Sequence, residues 1–326
     1  MRFLRAIALC AVASTFALAA AHVAAQAGAY PNRPIRMVIA FPPGGTSDFV
    51  GRVVADKMSQ FLGQPIVIEN KPGATGLIGT QYVQQAAPDG YTLLLAPSDF
   101  TLAPGLQPKP PYDPVKDFAA IGLFINYPHV LVAYPGLPAS NAKELIALAK
   151  AKPGQLNFAS GGSGGSNHIS GVAFAYAAGI DLTHVPYKGN GPAITDLLAD
   201  RVQLLFTSIG PVEGHLKAGK LNAIAVTGPR RLASLPDVPT VSEIALPGYE
   251  FLTWYGLAAP AGTPKAIIDR LNADLRKTMA SPEVMEKLGS IGGDLTVNSP
   301  DEFAAMIRTE VGRWHKLARD TNLKLD

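Results

Sequence analysis

Short apolar runs rich in Val, Ile and Leu recur along the chain, each followed by a Gly/Pro/Ser turn and then by apolar positions at helical spacing. That repeating order is the pattern of βαβ units around a mostly parallel sheet. The first strand is predicted over residues 35–41, and Pro42-Pro43-Gly44-Gly45-Thr46-Ser47-Asp48 turns the chain into a helix over 49–62. Strands at 66–69 and 91–96 follow, separated by a glycine-rich turn at 72–76 and a helix at 78–86. The proline-studded stretch 103–117 reads as a surface excursion.

After a strand at 130–134 the pattern starts again. It runs through helix 142–150, strand 156–159, and the loop Ser160-Gly161-Gly162-Ser163-Gly164-Gly165-Ser166-Asn167-His168, which opens a helix to 177. Strand 183–186, helix 192–198, strand 202–207, helix 211–218 and strand 221–226 complete a second α/β unit. A last strand at 250–258 and helices at 264–280, 282–288 and 300–318 need a sheet to cover, and the first unit has a face still open. The chain is therefore expected to cross twice, near 126–128 and near 239–247, making a hinge with a ligand cleft beneath it. The expected domains are 27–128 with 245–326, and 129–244 between them.

The first residues change the picture of where this protein works. Arg2 and Arg5, an apolar run at 6–21 and small residues at 23–27 make a secretory signal peptide over 1–26, implying the periplasm. The one cysteine, Cys10, lies inside it, so the mature chain offers no thiol for a disulfide, a metal site or a nucleophile. Loss of Arg2 and Arg5 takes the formal charge from +3 to +1, and with no basic run that balance argues against nucleic acid. Roughly 300 remaining residues exceed what one core usually holds, which favours two domains.

Two segments carry candidate chemistry, and both are strand, small-residue turn and helix N-terminus. Free backbone N–H groups and the helix dipole let such a turn hold an anion without a cationic side chain. In the first, Gly44 and Gly45 allow close approach of the backbone, Pro43 and Thr46 are candidates beside them, and Asp48 either caps the helix or bonds the ligand, with Arg52 one turn later as its ion-pair partner on the helix surface. In the second, Ser160, Ser163, Gly164, Ser166 and His168 are the candidates, His168 being equally suited to a buried structural bond. Ser98 and Phe100 follow the third strand and are expected to line the cleft; Tyr187 and Thr207 sit at strand ends, where ligands of parallel sheets bind.

Gly161-Gly162-Ser163-Gly164-Gly165 also matches the G-x-S-x-G nucleophile elbow, with Asp181 or Asp196 and His184, His215 or His315 downstream in the required order. Ser160 and Ser166 are equally placed, so a secreted serine hydrolase using Ser163 is the weaker reading. Gly73, Gly76 and Gly79 give G-x-x-G-x-x-G rather than the dinucleotide spacing, and H-E-x-x-H is absent, so neither cofactor nor metal is expected.

Several motifs together resemble one family. They are Phe41-Pro42-Pro43-Gly44-Gly45-x-x-Asp48, Glu69-Asn70-Lys71-Pro72-Gly73-Ala74-x-Gly76-x-Ile78-Gly79, Pro88-Asp89-Gly90-Tyr91-Thr92-Leu93 and His184-Val185-Pro186-Tyr187-Lys188-Gly189. Leu235-Pro236-Asp237-Val238-Pro239-Thr240, Trp254-Tyr255-Gly256-Leu257 and Pro260-Ala261-Gly262-Thr263-Pro264 extend them. Their order and spacing are similar to those of the Bug-type (TctC-like) receptors, the substrate-binding components of tripartite tricarboxylate transporters. The resemblance implies a two-domain α/β periplasmic binding protein, a type II-like Venus flytrap, monomeric and not an enzyme. It would close on a dicarboxylate, tricarboxylate or aromatic acid and deliver it to integral-membrane transporter subunits. A ligand sensor for a two-component kinase would share the same fold and pocket. The resemblance further implies that residues 43–48 bind a carboxylate through main-chain amides and water, and that residues 160–168 complete the site. Where the family commonly has Ser or Thr, this chain has Gly165, so Ser163 or Ser166 would supply the missing hydroxyl.

Overall fold

The computed structural model describes residues 30–106, 110–289 and 291–321. The expected signal peptide, with Cys10, lies outside the described residues. The chain begins with β1 (Ile35–Ile39), α1 (Thr46–Leu62), β2 (Ile66–Asn70), a short 3-10 turn (Ala74–Gly76), α2 (Leu77–Gln84), β3 (Thr92–Pro97), α3 (Asp99–Leu106) and β4 (Phe118–Pro128). It continues with β5 (Val130–Ala133), α4 (Ala142–Ala151), β6 (Asn157–Ser160), α5 (Ser166–Ala178), β7 (Thr183–Pro186) and α6 (Asn190–Leu198). Then come β8 (Leu204–Thr207), α7 (Gly210–Lys217), β9 (Asn222–Val226) and α8 (Val241–Ile244). The return passage is β10 (Leu252–Pro260), followed by α9 (Lys265–Met279), α10 (Pro282–Gly289) and α11 (Pro300–Thr321).

Two five-stranded sheets result, ordered β2-β1-β3-β10-β4 and β7-β6-β8-β5-β9. Each is mixed: β10 is antiparallel to both its neighbours in the first sheet, and β5 to both of its own in the second. These are the two strands on which the chain arrives from the other sheet, so the antiparallel member of each sheet marks a crossing. Strand alternation feeds two faces at once. Met37 and Ile39 of β1 pack with Val50, Val54 and Met58 of α1 and Leu271 of α9, whereas Val38 joins Leu94, Trp254, Phe303 and Ile307 on the other side. Burial on both faces explains why these strands read as continuous apolar runs. In the second sheet Leu131 and Phe206 face α4 and α5, and Val130 and Leu205 face α6 and α7.

The crossings meet at Thr227. His129, the one residue between β4 and β5, donates its N–H to Thr227 Oγ1 at 2.8 Å and accepts the Thr227 N–H at 2.9 Å. Thr227 Oγ1 in turn donates to the Phe251 carbonyl, and Phe251 N–H to the Thr227 carbonyl, each at 2.8 Å. The second crossing therefore lies beside Phe251, later than the predicted 239–247. That earlier stretch stays with the second sheet, because Val241, Leu246 and Tyr249 pack into its core.

Two further expectations need correcting. The stretch read as a proline-rich excursion begins with α3, a largely buried helix packed against α11. Pro104 inside it cannot donate to the Phe100 carbonyl, and the Tyr112 hydroxyl donates there instead at 2.9 Å, so the helix tolerates the proline. The long strand β4, paired with β10 along its length, was not expected at all. The Gly73/Gly76/Gly79 spacing serves packing: a Cβ on Gly79 would stand 2.8 Å from Ala40 Cα and 2.9 Å from the Lys71 carbonyl.

Candidate functional site

The first loop joins β1 to α1. Gly45 is the N-cap residue of α1 and no side chain caps it, so the amides of Thr46 and Ser47 begin the helix without intrahelical acceptors. Gly44 has φ +83°, a conformation suited to glycine, and residues 43–45 are exposed, which leaves this helix end open to an anion. Asp48, only 6% exposed, is neither an N-cap nor free. Its carboxylate accepts from Arg52 Nε at 2.9 Å, from Gly44 N–H at 3.0 Å and from Asn70 Nδ2 at 3.0 Å. The Arg52 hydrogen bond, helped by Gly44 and Asn70, holds its pKa down at about 2. Asp48 thus braces the loop with its charge compensated. Ser47 Oγ, at 3.0 Å from Tyr255 OH, ties the first turn of α1 to β10.

The second loop joins β6 to α5, and its N-cap is again an uncapped glycine, Gly165. Ser160 is fully buried, with its hydroxyl 3.0 Å from the Gly162 carbonyl and 2.6 Å from His184 Nε2. His168 Nδ1 accepts the Gly164 N–H at 3.0 Å, and its ring stacks on His184 with centroids 3.7 Å apart. Burial lowers the pKa of His168 to about 3 and that of His184 to about 4, so both are neutral rings that shape the loop. Asn167 donates to the Phe206 carbonyl and anchors the start of α5 to β8.

The second loop is tied to elements around the first sheet, outside the first loop, by two residues not nominated from the sequence. Thr75 Oγ1 donates to the Ser163 carbonyl at 3.1 Å, and Asp99 Oδ1 accepts the Ser166 N–H at 3.0 Å. Thr75 and Asp99 belong to the elements around the first sheet, Ser163 and Ser166 to the second loop. Asp99 is 9% exposed, and burial raises its pKa to about 6 against the lowering effect of the Ser166 bond.

The remaining nominated residues divide. Pro43, Gly44, Gly45 and Thr46 form the lip of the first loop; Ser163, Gly164 and Ser166 form the second loop, where Ser166 already spends its N–H on Asp99. Ser98 lies buried beneath α3, its N–H bonded to the Trp254 carbonyl at 2.9 Å. Phe100 does not line a cleft: α3 turns its ring into the core, stacked on Tyr112 at 5.6 Å and edge-on to Phe118 at 5.0 Å. Tyr187 donates to Asp196 at 2.8 Å. Thr207 is fully buried at the end of β8 with its hydroxyl unpartnered. Of the acids and histidines of the elbow reading, His184 is bonded to Ser160 and Asp196 to Tyr187 and Arg201 rather than to Ser163. Asn70 and Asp99 had one available signal each: Asn70 ends the strand beside β1, and Asp99 follows the carboxyl end of β3. An acid, however, is an unexpected choice for an anion site.

Comparison with known proteins places this geometry in context. Residues 50–323 match the model of a family described as the tripartite tricarboxylate transporter family receptor. BugT of Bordetella pertussis is 37% identical over 312 residues, covering 94% of this chain and 96% of that protein. The solved structure of the periplasmic binding protein BugD superposes with a TM-score of 0.82 at 36% identity, over 90% of this chain and 99% of that one. A Rhodopseudomonas palustris structure with adipate gives 0.82 at 32% identity, over 90% and 98% of the two chains. MatC of the same organism, with bound malate, gives 0.80 at 32%, over 88% and 99%.

Proposed function

The chain belongs to the tripartite tricarboxylate transporter receptor family, a family of solute-binding proteins rather than enzymes, and from that premise we propose that it is an extracytoplasmic receptor for a small carboxylate. It takes up the acid between the two loops and hands it to integral-membrane transporter subunits. Export through its N-terminal apolar run is part of this reading; among the described residues no helix is long and apolar enough to cross a membrane. We assign residues 30–128 and 252–321 to one lobe and 129–249 to the other, with the passages around Thr227 as the hinge.

The observation that carries the reading is the open N-terminus of α1. Its amides lack a side-chain cap, its lip is exposed, and the nearby acid is held back by Arg52, Gly44 and Asn70. Such an end favours a carboxylate through aligned N–H donors and the helix dipole. The adipate and malate of the related structures are acids of this kind. Binding that bridges two lobes stabilises the closed form by mass action.

The test uses thermal melting of the mature protein with a panel of mono-, di- and tricarboxylates, repeated with Thr46→Pro. Proline fits the first helical position and removes only one amide donor, and Gly45 already has the extended backbone that precedes proline. The expected result is a carboxylate that raises the melting temperature of the wild type and binds Thr46→Pro about tenfold or more weakly, a charge-assisted hydrogen bond having been lost. Thr46→Ala should bind nearly as the wild type does. A panel without any shift, or undiminished binding by Thr46→Pro, contradicts the reading.

A further inference from the structure

Resting on the carboxylate-receptor reading, we propose that Asp99 fills the second anion seat itself, so that the ligand carries a single carboxylate and presents a hydrogen-bond donor, hydroxyl or ammonium, toward Asp99. The second helix N-terminus would otherwise invite a second carboxylate. In this chain Asp99 Oδ1, reaching over from the first lobe, already accepts the Ser166 N–H at the start of α5. Gly165 provides the clearance: a Cβ built on it would stand 3.3 Å from Asp99 Oδ1 and 3.8 Å from Thr75 Cγ2. A glycine that looks like a lost hydroxyl contact is thus what lets a protein carboxylate approach. Thr75 adds the opposite polarity by donating to the Ser163 carbonyl, so the first lobe reads both an acceptor and a donor of the second loop.

Asp99 bears on the first loop only indirectly, as the weakest of the influences on Tyr255. Its charge acts on the Tyr255 hydroxyl, which is the group bonded to Ser47 in the first turn of α1. A ligand carboxylate on the α1 amides therefore shares its surroundings with a buried acid. A second ligand carboxylate would meet a like charge there, whereas a hydroxyl or ammonium would find an acceptor. Burial sets the Asp99 pKa at about 6, so the group is ionised at neutral and alkaline pH.

The test is calorimetric titration, at a pH well above 6, of the mature protein and of Asp99→Asn with short straight-chain acids matched in length and ending in hydroxyl, ammonium or carboxylate. The wild type is expected to prefer a donor-ended acid over the dicarboxylate of equal length by about tenfold, and Asp99→Asn to erase that preference or invert it. Should Asp99→Asn not fold, Gly165→Ala, which crowds Asp99, is expected to narrow the preference in the same direction. Wild-type binding of dicarboxylates as tight as that of donor-ended acids overturns the assignment of Asp99 alone. An unchanged preference in the variants does the same. Absence of binding by any acid to the folded wild type overturns the receptor reading, and the assignment of Asp99 with it.

Discussion

A negative side chain beside the proposed carboxylate seat is tolerable only if its charge is compensated, and Asp48 meets that condition more fully than Asp99 does. Asp48 is compensated by Arg52 and two further donors. Asp99 is buried on a helix N-terminus. The histidines behind the second loop and at the hinge carry a clearer consequence. Burial lowers the pKa of His129 and of His168 to about 3, far below an unfolded value of about 6.5. The unfolded chain therefore binds more protons below pH 6.5, and each of these groups withdraws up to about 1.4 kcal/mol of stability per pH unit on acidification. Asp99, raised to about 6, acts with the opposite sign between about pH 6 and its unfolded value, as does Glu310, which burial also raises, but they stand against three histidines, since His184 is lowered to about 4 as well. The melting temperature should fall from pH 6.5 to pH 4.5 in scanning calorimetry; a rise would show that the histidines are not buried neutral. Of these residues Asp48 and His168 were legible in their motifs. Asn70 was not, because it reaches Asp48 only through the β1–β2 register that pairs it with Ile39.

At the level of elements, strands with apolar runs and helices with a clear apolar face were legible, and the differences have physical causes. Thr46-Ser47-Asp48 reads as turn by composition yet forms the first turn of α1, because short polar residues are favoured at helix starts. β4 mixes Ala and Gly with its apolar residues and has no turn signal inside it, so its existence depends on pairing with β10. α3 was hidden by its proline. Its integrity rests on Tyr112, and Tyr112→Phe keeps the stack on Phe100 while leaving the Phe100 carbonyl without that donor. Loss of about 1–3 kcal/mol is expected for an acceptor stranded in a buried helix. Urea unfolding with an unchanged midpoint would mean that another group satisfies that carbonyl. Because α3 begins at Asp99, the same variant reports on how firmly the cross-lobe contact is supported.

For the whole molecule, the two-sheet plan and its two crossings were legible from the restart of the α/β pattern after residue 130, whereas the place of the second crossing was not. Val241, Leu246 and Tyr249 look like linker by sequence but pack into the second core, which moves the crossing to the strand start beside Phe251. An apolar contact near the hinge, with Leu102 and Leu106 of α3, Ile169 of α5, Phe251 and Trp314, joins the two lobes in this arrangement. In the proposed binding mode a carboxylate sits on the open N-terminus of α1 and draws the second loop over it. Amide chemical shifts followed by NMR while the protein is titrated with a carboxylate it binds test this directly. The Thr46 and Ser47 amides should show the largest downfield movement, as donors to a new anion. Saturable binding that leaves both amides unmoved would place the carboxylate elsewhere and contradict this binding mode.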